Sequence, residues 1–214
     1  VLVWVLLKPK ERVVAPALSF AAYSRSFVSL LTNTKLLAVL IIAGGFGAAQ
    51  GVTFTFLPVY VREDLDQSTW VVGAYVSLAQ VMGIVSSPIM GHLSDRFGRK
   101  AVVVPSMLGL GLGLLGLYIV GSGLPFLIIL GVTGAVLFSV MALVLAAGAD
   151  LVPEEFQATS VSMMYLVVIL FTGLSPVVAG FIADEYGVRA TFLMGSGLAL
   201  AAGIFGLVAR WQSK

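Results

Sequence analysis

Apolar residues run through this chain in long blocks, and the polar residues gather in short stretches between them. Six blocks, residues 36–61, 69–92, 101–121, 124–149, 157–183 and 187–210, each reach the roughly 20 residues that a helix needs to cross hydrocarbon. They predict six transmembrane helices and an all-α membrane protein. An earlier block, residues 1–7, is too short to span and reads as the tail of a helix whose start is absent. Its charges, Lys8, Lys10, Glu11 and Arg12, come after the apolar run, where a secretory leader would put them before it. Residues 8–35 carry five basic residues against one acidic and read as a basic cytoplasmic linker ahead of a bundle over 36–214.

Composition agrees with the pattern. Hydrophobic residues make up 59% and charged residues 10%, against about 45–50% and about 25% in soluble domains, and the mean hydropathy is +1.08. With the linker inside, Lys8, Lys10, Arg12, Arg25, Lys35, Arg96, Arg99, Lys100, Arg210 and Lys214 all fall on the cytoplasmic side, against Arg62 and Arg189 outside. Such a bias orients a membrane protein, so the linker and the C-terminus are expected in the cytoplasm, at the cell membrane. The net charge of +2 is then topology, and no nucleic-acid partner is expected. There is no cysteine, and His92 is the one histidine. A metal site and a nucleophilic triad both lack their residues, so neither enzyme chemistry nor a cofactor is expected.

Charge and glycine concentrate in Gly91-His92-Leu93-Ser94-Asp95-Arg96-Phe97-Gly98-Arg99-Lys100, between the second and third blocks. The stretch is expected to turn at a membrane surface. It has a counterpart: GHLSDRFGRKA at 91–101 lies over GFIADEYGVRA at 180–190, with Gly91 on Gly180, Asp95 on Asp184, Gly98 on Gly187 and Ala101 on Ala190. Each copy joins the second and third spans of a three-helix group, 36–121 or 124–210, and the copies face opposite sides, which predicts a 3+3 inverted repeat. Pro88 and Pro176 precede the two copies and should kink their helices.

The decapeptide resembles the cytoplasmic signature of the major facilitator superfamily, roughly G-x-L-x-D-R-x-G-R-K/R. A helix tail, a basic loop and six spans resemble the end of that family's helix 6, its central loop and its helices 7 to 12. The resemblance implies half of a 12-helix bundle, with a missing N-terminal six-helix half as partner and alternating access as mechanism. Gly91, Asp95, Arg96, Gly98, Arg99 and Lys100 would form a cytoplasmic gating motif in which Asp95 meets a helix end of the other half.

Charged residues at mid-membrane would be the first functional candidates, and none is found in the six blocks. The titrating group of any proton-coupled carrier is therefore expected in the other half. Gln50, 14 residues into the first block, and Gln80, 11 into the second, lie near the bilayer centre. With Ser139 they are the candidate substrate-pathway residues, set against a plain interhelical hydrogen bond. Glycine pairs four apart, Gly47 with Gly51 and Gly109 with Gly113, predict close helix crossings, and Trp70 and Trp211 predict interfacial anchors. The function expected is movement of a small organic solute or drug-like compound across the cytoplasmic membrane by a secondary transporter, an exporter of drug-like compounds being one form of it. The alternative is a six-helix membrane module that transports nothing itself.

Overall fold

The computed structural model describes residues 30–211, so the readings of 1–7 and of most of the linker fall outside the described residues. Six helices follow: α1 Thr34–Val59, α2 Thr69–Phe97, α3 Arg99–Val120, α4 Gly123–Ala149, α5 Gln157–Tyr186 and α6 Ala190–Val208. All six are long and apolar enough to cross a membrane. Asn33 starts α1, its side-chain oxygen accepting the backbone N–H of Lys35 at 3.0 Å and of Leu36 at 3.3 Å. A π-helical turn, Tyr60–Asp64, prolongs α1, and Glu154–Phe156 form one 3-10 turn ahead of α5.

The largest departure from the sequence reading is at the decapeptide. Instead of a ten-residue turn, α2 continues through Phe97 and α3 begins at Arg99, so that Gly98 alone leaves the helical conformation. Polar residues sustain a helix beyond the apolar block because the backbone hydrogen bonds do not depend on hydrocarbon around them. Gly98 has φ 93° and ψ 151°, and its counterpart Gly187 has φ 86° and ψ 157°. A side chain at either position would be strained, so both repeat copies use glycine for the same bend. The preceding glycines behave differently: Gly91 and Gly180 lie within α2 and α5, and nothing lies within 4 Å of where a Cβ would stand.

Helix packing repeats between the two triplets. α2 packs on α4 as α5 packs on α1; α3 packs on α4 as α6 packs on α1; and α3 and α6 cross each other. Small residues set the closest approaches, since lipid gives apolar helices little reason to associate except good packing. A Cβ on Gly134 of α4 would stand 2.4 Å from Ala79 Cα of α2, and one on Gly47 of α1 would stand 2.4 Å from the Val168 carbonyl oxygen of α5. Gly51 repeats the contact one turn on; of the second pair, a Cβ on Gly113 would stand 2.3 Å from Thr133 Oγ1 of α4 while Gly109 has open space beside it, so only one of the two serves the expected crossing. Between α3 and α6 the contact is reciprocal, with Leu200 over Gly111 and Leu108 over Gly203.

Buried hydroxyls tie the helices together. Thr172 and Ser175 of α5 donate to the carbonyls of Gly47 and Ala48, and Ser196 of α6 donates to that of Gly111. At the helix ends the aligned cations of the two repeat copies do matching work. Lys100 Nζ donates to the carbonyls of Leu207 and Ala209 at 3.1 and 2.7 Å. Arg189 donates through Nε to Tyr118 and through Nη2 to Ile119, the latter at 2.7 Å. Each triplet's third helix thus supplies a cation from its start to the carbonyl end of the other's. Trp211 departs from the reading as an interfacial anchor: it is 1% exposed and donates to Gly206, while Trp70 is 79% exposed.

Candidate functional site

Two features stand out, one at the end of the bundle that holds the decapeptide and one between its middle and the opposite end. At the bend, Ser94 is buried and Asp95 follows it on the last turns of α2, while Arg99 opens α3. Arg99 Nη1 donates to Asp95 Oδ1 at 2.7 Å and to Ser94 Oγ at 3.1 Å, and Arg99 Nε donates to Asp150 Oδ2 at 2.7 Å. One guanidinium therefore joins α2, α3 and the end of α4. Asp150 was missed in the sequence reading because it stands 51 residues from Arg99 in a loop without basic residues. The Asp95 side chain remains 69% exposed despite its ion pair. Arg96 lies over the Phe97 ring at 5.3 Å and has no ion pair among the described residues.

Between the middle of the bundle and its end away from the decapeptide, α1, α2 and α4 line a partly open cavity of about 220 Å³. Phe54, Leu57 and Pro58 come from α1, Val76, Ala79 and Gln80 from α2, and Leu130, Thr133, Leu137 and Phe138 from α4. The geometry follows from the glycine contact described above, because Gly134 brings α2 and α4 together at the cavity wall. The Phe54 and Phe138 rings stack with centroids 5.5 Å apart and planes inclined by 30°. Thr53 and Thr133 spend their hydroxyl protons on their own helices, donating to Ala49 and Ile129 at 2.7 Å. No charged side chain lines the cavity among the described residues.

The three expected pathway residues separate. Gln80 lines the cavity. Gln50 is half-buried on α1, one helical turn before Phe54 and so on the same face. Neither amide has a hydrogen-bond partner among the described residues, so the interhelical bond weighed against the functional role does not form there. Ser139 is 1% exposed and belongs to the α2–α4 seam, where its hydroxyl meets Ser86 Oγ at 2.6 Å and donates to Ala135. The aromatic pair had escaped the sequence reading, since Phe54 and Phe138 are 84 residues apart among 13 phenylalanines.

Comparison with known proteins places this architecture. Residues 39–214 match the family profile described as Major Facilitator Superfamily. The multi-drug resistance efflux pump PmrA of Streptococcus pneumoniae is 30% identical over 160 residues, covering 73% of this chain and 40% of the relative. The multidrug resistance protein MdtG of Escherichia coli is 28% identical over 156 residues, covering 69% and 37%. The chain thus spans about 40% of the length of the curated relatives it matches. Among solved structures, the fucose:proton symporter FucP of E. coli superposes with a TM-score of 0.74 at 18% identity, over 90% of this chain and 46% of that one. The xylose transporter XylE of E. coli, partially occluded and inward open, gives 0.69 at 18% identity over 83% and 49%. Six apolar helices in this arrangement, with a family profile spanning them, make the chain a multi-pass membrane protein, and it belongs to the major facilitator superfamily.

Proposed function

We propose that this chain is the C-terminal six-helix half of a secondary active transporter that exports a small organic, drug-like solute across the cytoplasmic membrane by alternating access. The observation that carries the reading is the cavity between α1, α2 and α4 with an unpaired amide on its wall, in a bundle similar in sequence to multidrug efflux proteins. At about 220 Å³ the cavity falls short of the ~300–1,000 Å³ of a complete ligand site, as half of a shared site would. The other half is to be a preceding six-helix bundle. Its docking surface is α2 and α5, which expose Val81, Ile84, Val85 and Ile89 on one and Ile169, Leu170, Val177 and Phe181 on the other. Gly91 and Gly180, open to their surroundings on these helices, would let the second bundle approach closely.

In this reading the Asp95–Arg99–Asp150 cluster lies on the cytoplasmic side and keeps the ends of α2, α3 and α4 together while Asp95, still exposed, engages the other half. Gly98 shapes the bend and Lys100 caps α6, while Gly91 and Arg96 complete that gate from α2, left open to the other half. Gln50 and Gln80 contact the solute, and a coupling proton is carried by a group in the other half. The test is transport by the full-length protein in proteoliposomes under an imposed proton gradient. Solute movement that collapses with the gradient supports the reading, and binding without movement defeats it. Maleimide labelling of a cysteine placed at Phe97 from the cell exterior would overturn the orientation.

A further inference from the structure

We propose that the cavity between α1, α2 and α4 is a subsite for a flat, uncharged aromatic ring system, with the Phe54–Phe138 pair as its wall and Gln80 as its single polar selector. The inference rests on the transporter reading and narrows it to a class of cargo. Three observations carry it. First, the lining is apolar apart from Gln80 and two threonines whose protons are already committed to Ala49 and Ile129, which leaves the Gln80 amide as the one group on the wall able both to donate and to accept. Second, no charged lining residue among those described could compensate an ion for its lost hydration, so an ionised cargo group is disfavoured inside. Third, the volume suits rings: an engineered cavity of about 150 Å³ takes benzene, and this one, at about 220 Å³, has room for a two-ring system.

The ring pair is held from behind. A Cβ at Gly83 would stand 2.3 Å from Phe138 Cβ, so the glycine lets Phe138 seat against α2 with its ring turned to Phe54. Stacking of a cargo ring on such a wall contributes about two- to tenfold in affinity, and one neutral hydrogen bond about the same. A neutral heteroaromatic amide or arylamine satisfies both at once.

The experiment titrates full-length protein in nanodiscs with N-phenyl-1-naphthylamine, a neutral arylamine with one N–H whose fluorescence rises in apolar surroundings. Gln80→Leu keeps the shape and removes the amide; Phe138→Leu keeps apolar volume and removes the ring; melting curves check that both fold. Gln80 is exposed and makes no hydrogen bond, so its variant is expected to fold. Protein-free nanodiscs give the lipid baseline, and the flat two-ring N-methyl-1-naphthylamine, which keeps one N–H, is expected to compete with the probe for the cavity. We expect each variant to weaken binding above that baseline by about two- to tenfold, and Gln80→Glu to let tetraphenylphosphonium displace the probe at lower concentration than in the parent. No binding by the parent, or affinity within twofold of it in either variant, overturns the subsite. Proteoliposome transport is read separately. Movement of the arylamine with no effect of the variants defeats the subsite and keeps the transporter. The expected binding pattern with no movement of any solute keeps the subsite and defeats the transporter.

Discussion

Arg99 holds two carboxylates that belong to different helices, and the value of each contact is set by exposure. Its side chain is 27% exposed, against 69% for Asp95 and 47% for Asp150, so water screens both pairs and each should contribute only about 0.2–1 kcal/mol. Because one guanidinium serves both acids, Arg99→Gln should lower thermal stability by about as much as Asp95→Asn and Asp150→Asn together, a relation that melting curves of the three variants would check. Transport should divide them differently. Asp95→Asn in the full-length protein is expected to lower transport several-fold at unchanged membrane insertion, which proteoliposome flux beside a surface-expression blot would measure. Gly134→Ala tests packing instead: a methyl 2.4 Å from Ala79 Cα must push α2 away from α4, costing about 1–3 kcal/mol in unfolding assays. Much at this scale could be read beforehand. Glycine, aspartate and the basic residues of the bend announced themselves by type, and the two glutamines by depth. Asp150, Phe54 and Phe138 did not, because their partners come from helices whose adjacency no local pattern encodes.

At the scale of elements, apolar blocks told how many helices there are, and the repeat told how they divide into two triplets, but neither told which helices pair or where helices stop. The apolar run ends at residue 92 while α2 reaches Phe97, since helix ends follow backbone conformation at Gly98 and not the last apolar side chain. Trp211 shows the same limit, as a C-terminal tryptophan folds back to donate to Gly206 and is buried by contacts its own sequence does not reveal. The reciprocal caps allow a paired prediction. Removing the cation by Lys100→Met should fray the last turn of α6 and leave α3 alone, and Arg189→Met should do the converse. Each is expected to cost about 0.3–1 kcal/mol locally. Amide hydrogen exchange across residues 204–209 and 116–121 would tell the two apart.

For the whole molecule, the arrangement of buried and bare faces is more informative than the core itself. α1 is enclosed on nearly all sides, while α2 and α5 present rows of aliphatic side chains outward. Lipid can cover those rows, but the open glycines among them suit another helix better. Co-expression with the second six-helix bundle proposed above should therefore raise the melting temperature of this chain and protect cysteines placed at Ile84 and Val177 from maleimide, as thermal and labelling assays would record.

The corner at Gly98 has one more consequence. A joint only one residue long between two helices of 29 and 22 residues has no slack to give, and its fellow at Gly187 has little more. Glycine can swivel, so what holds the angle is the Arg99 clasp on Asp95 and Asp150, not the bend itself. On the transport reading proposed above, that clasp is what would let α2, α3 and the end of α4 turn together.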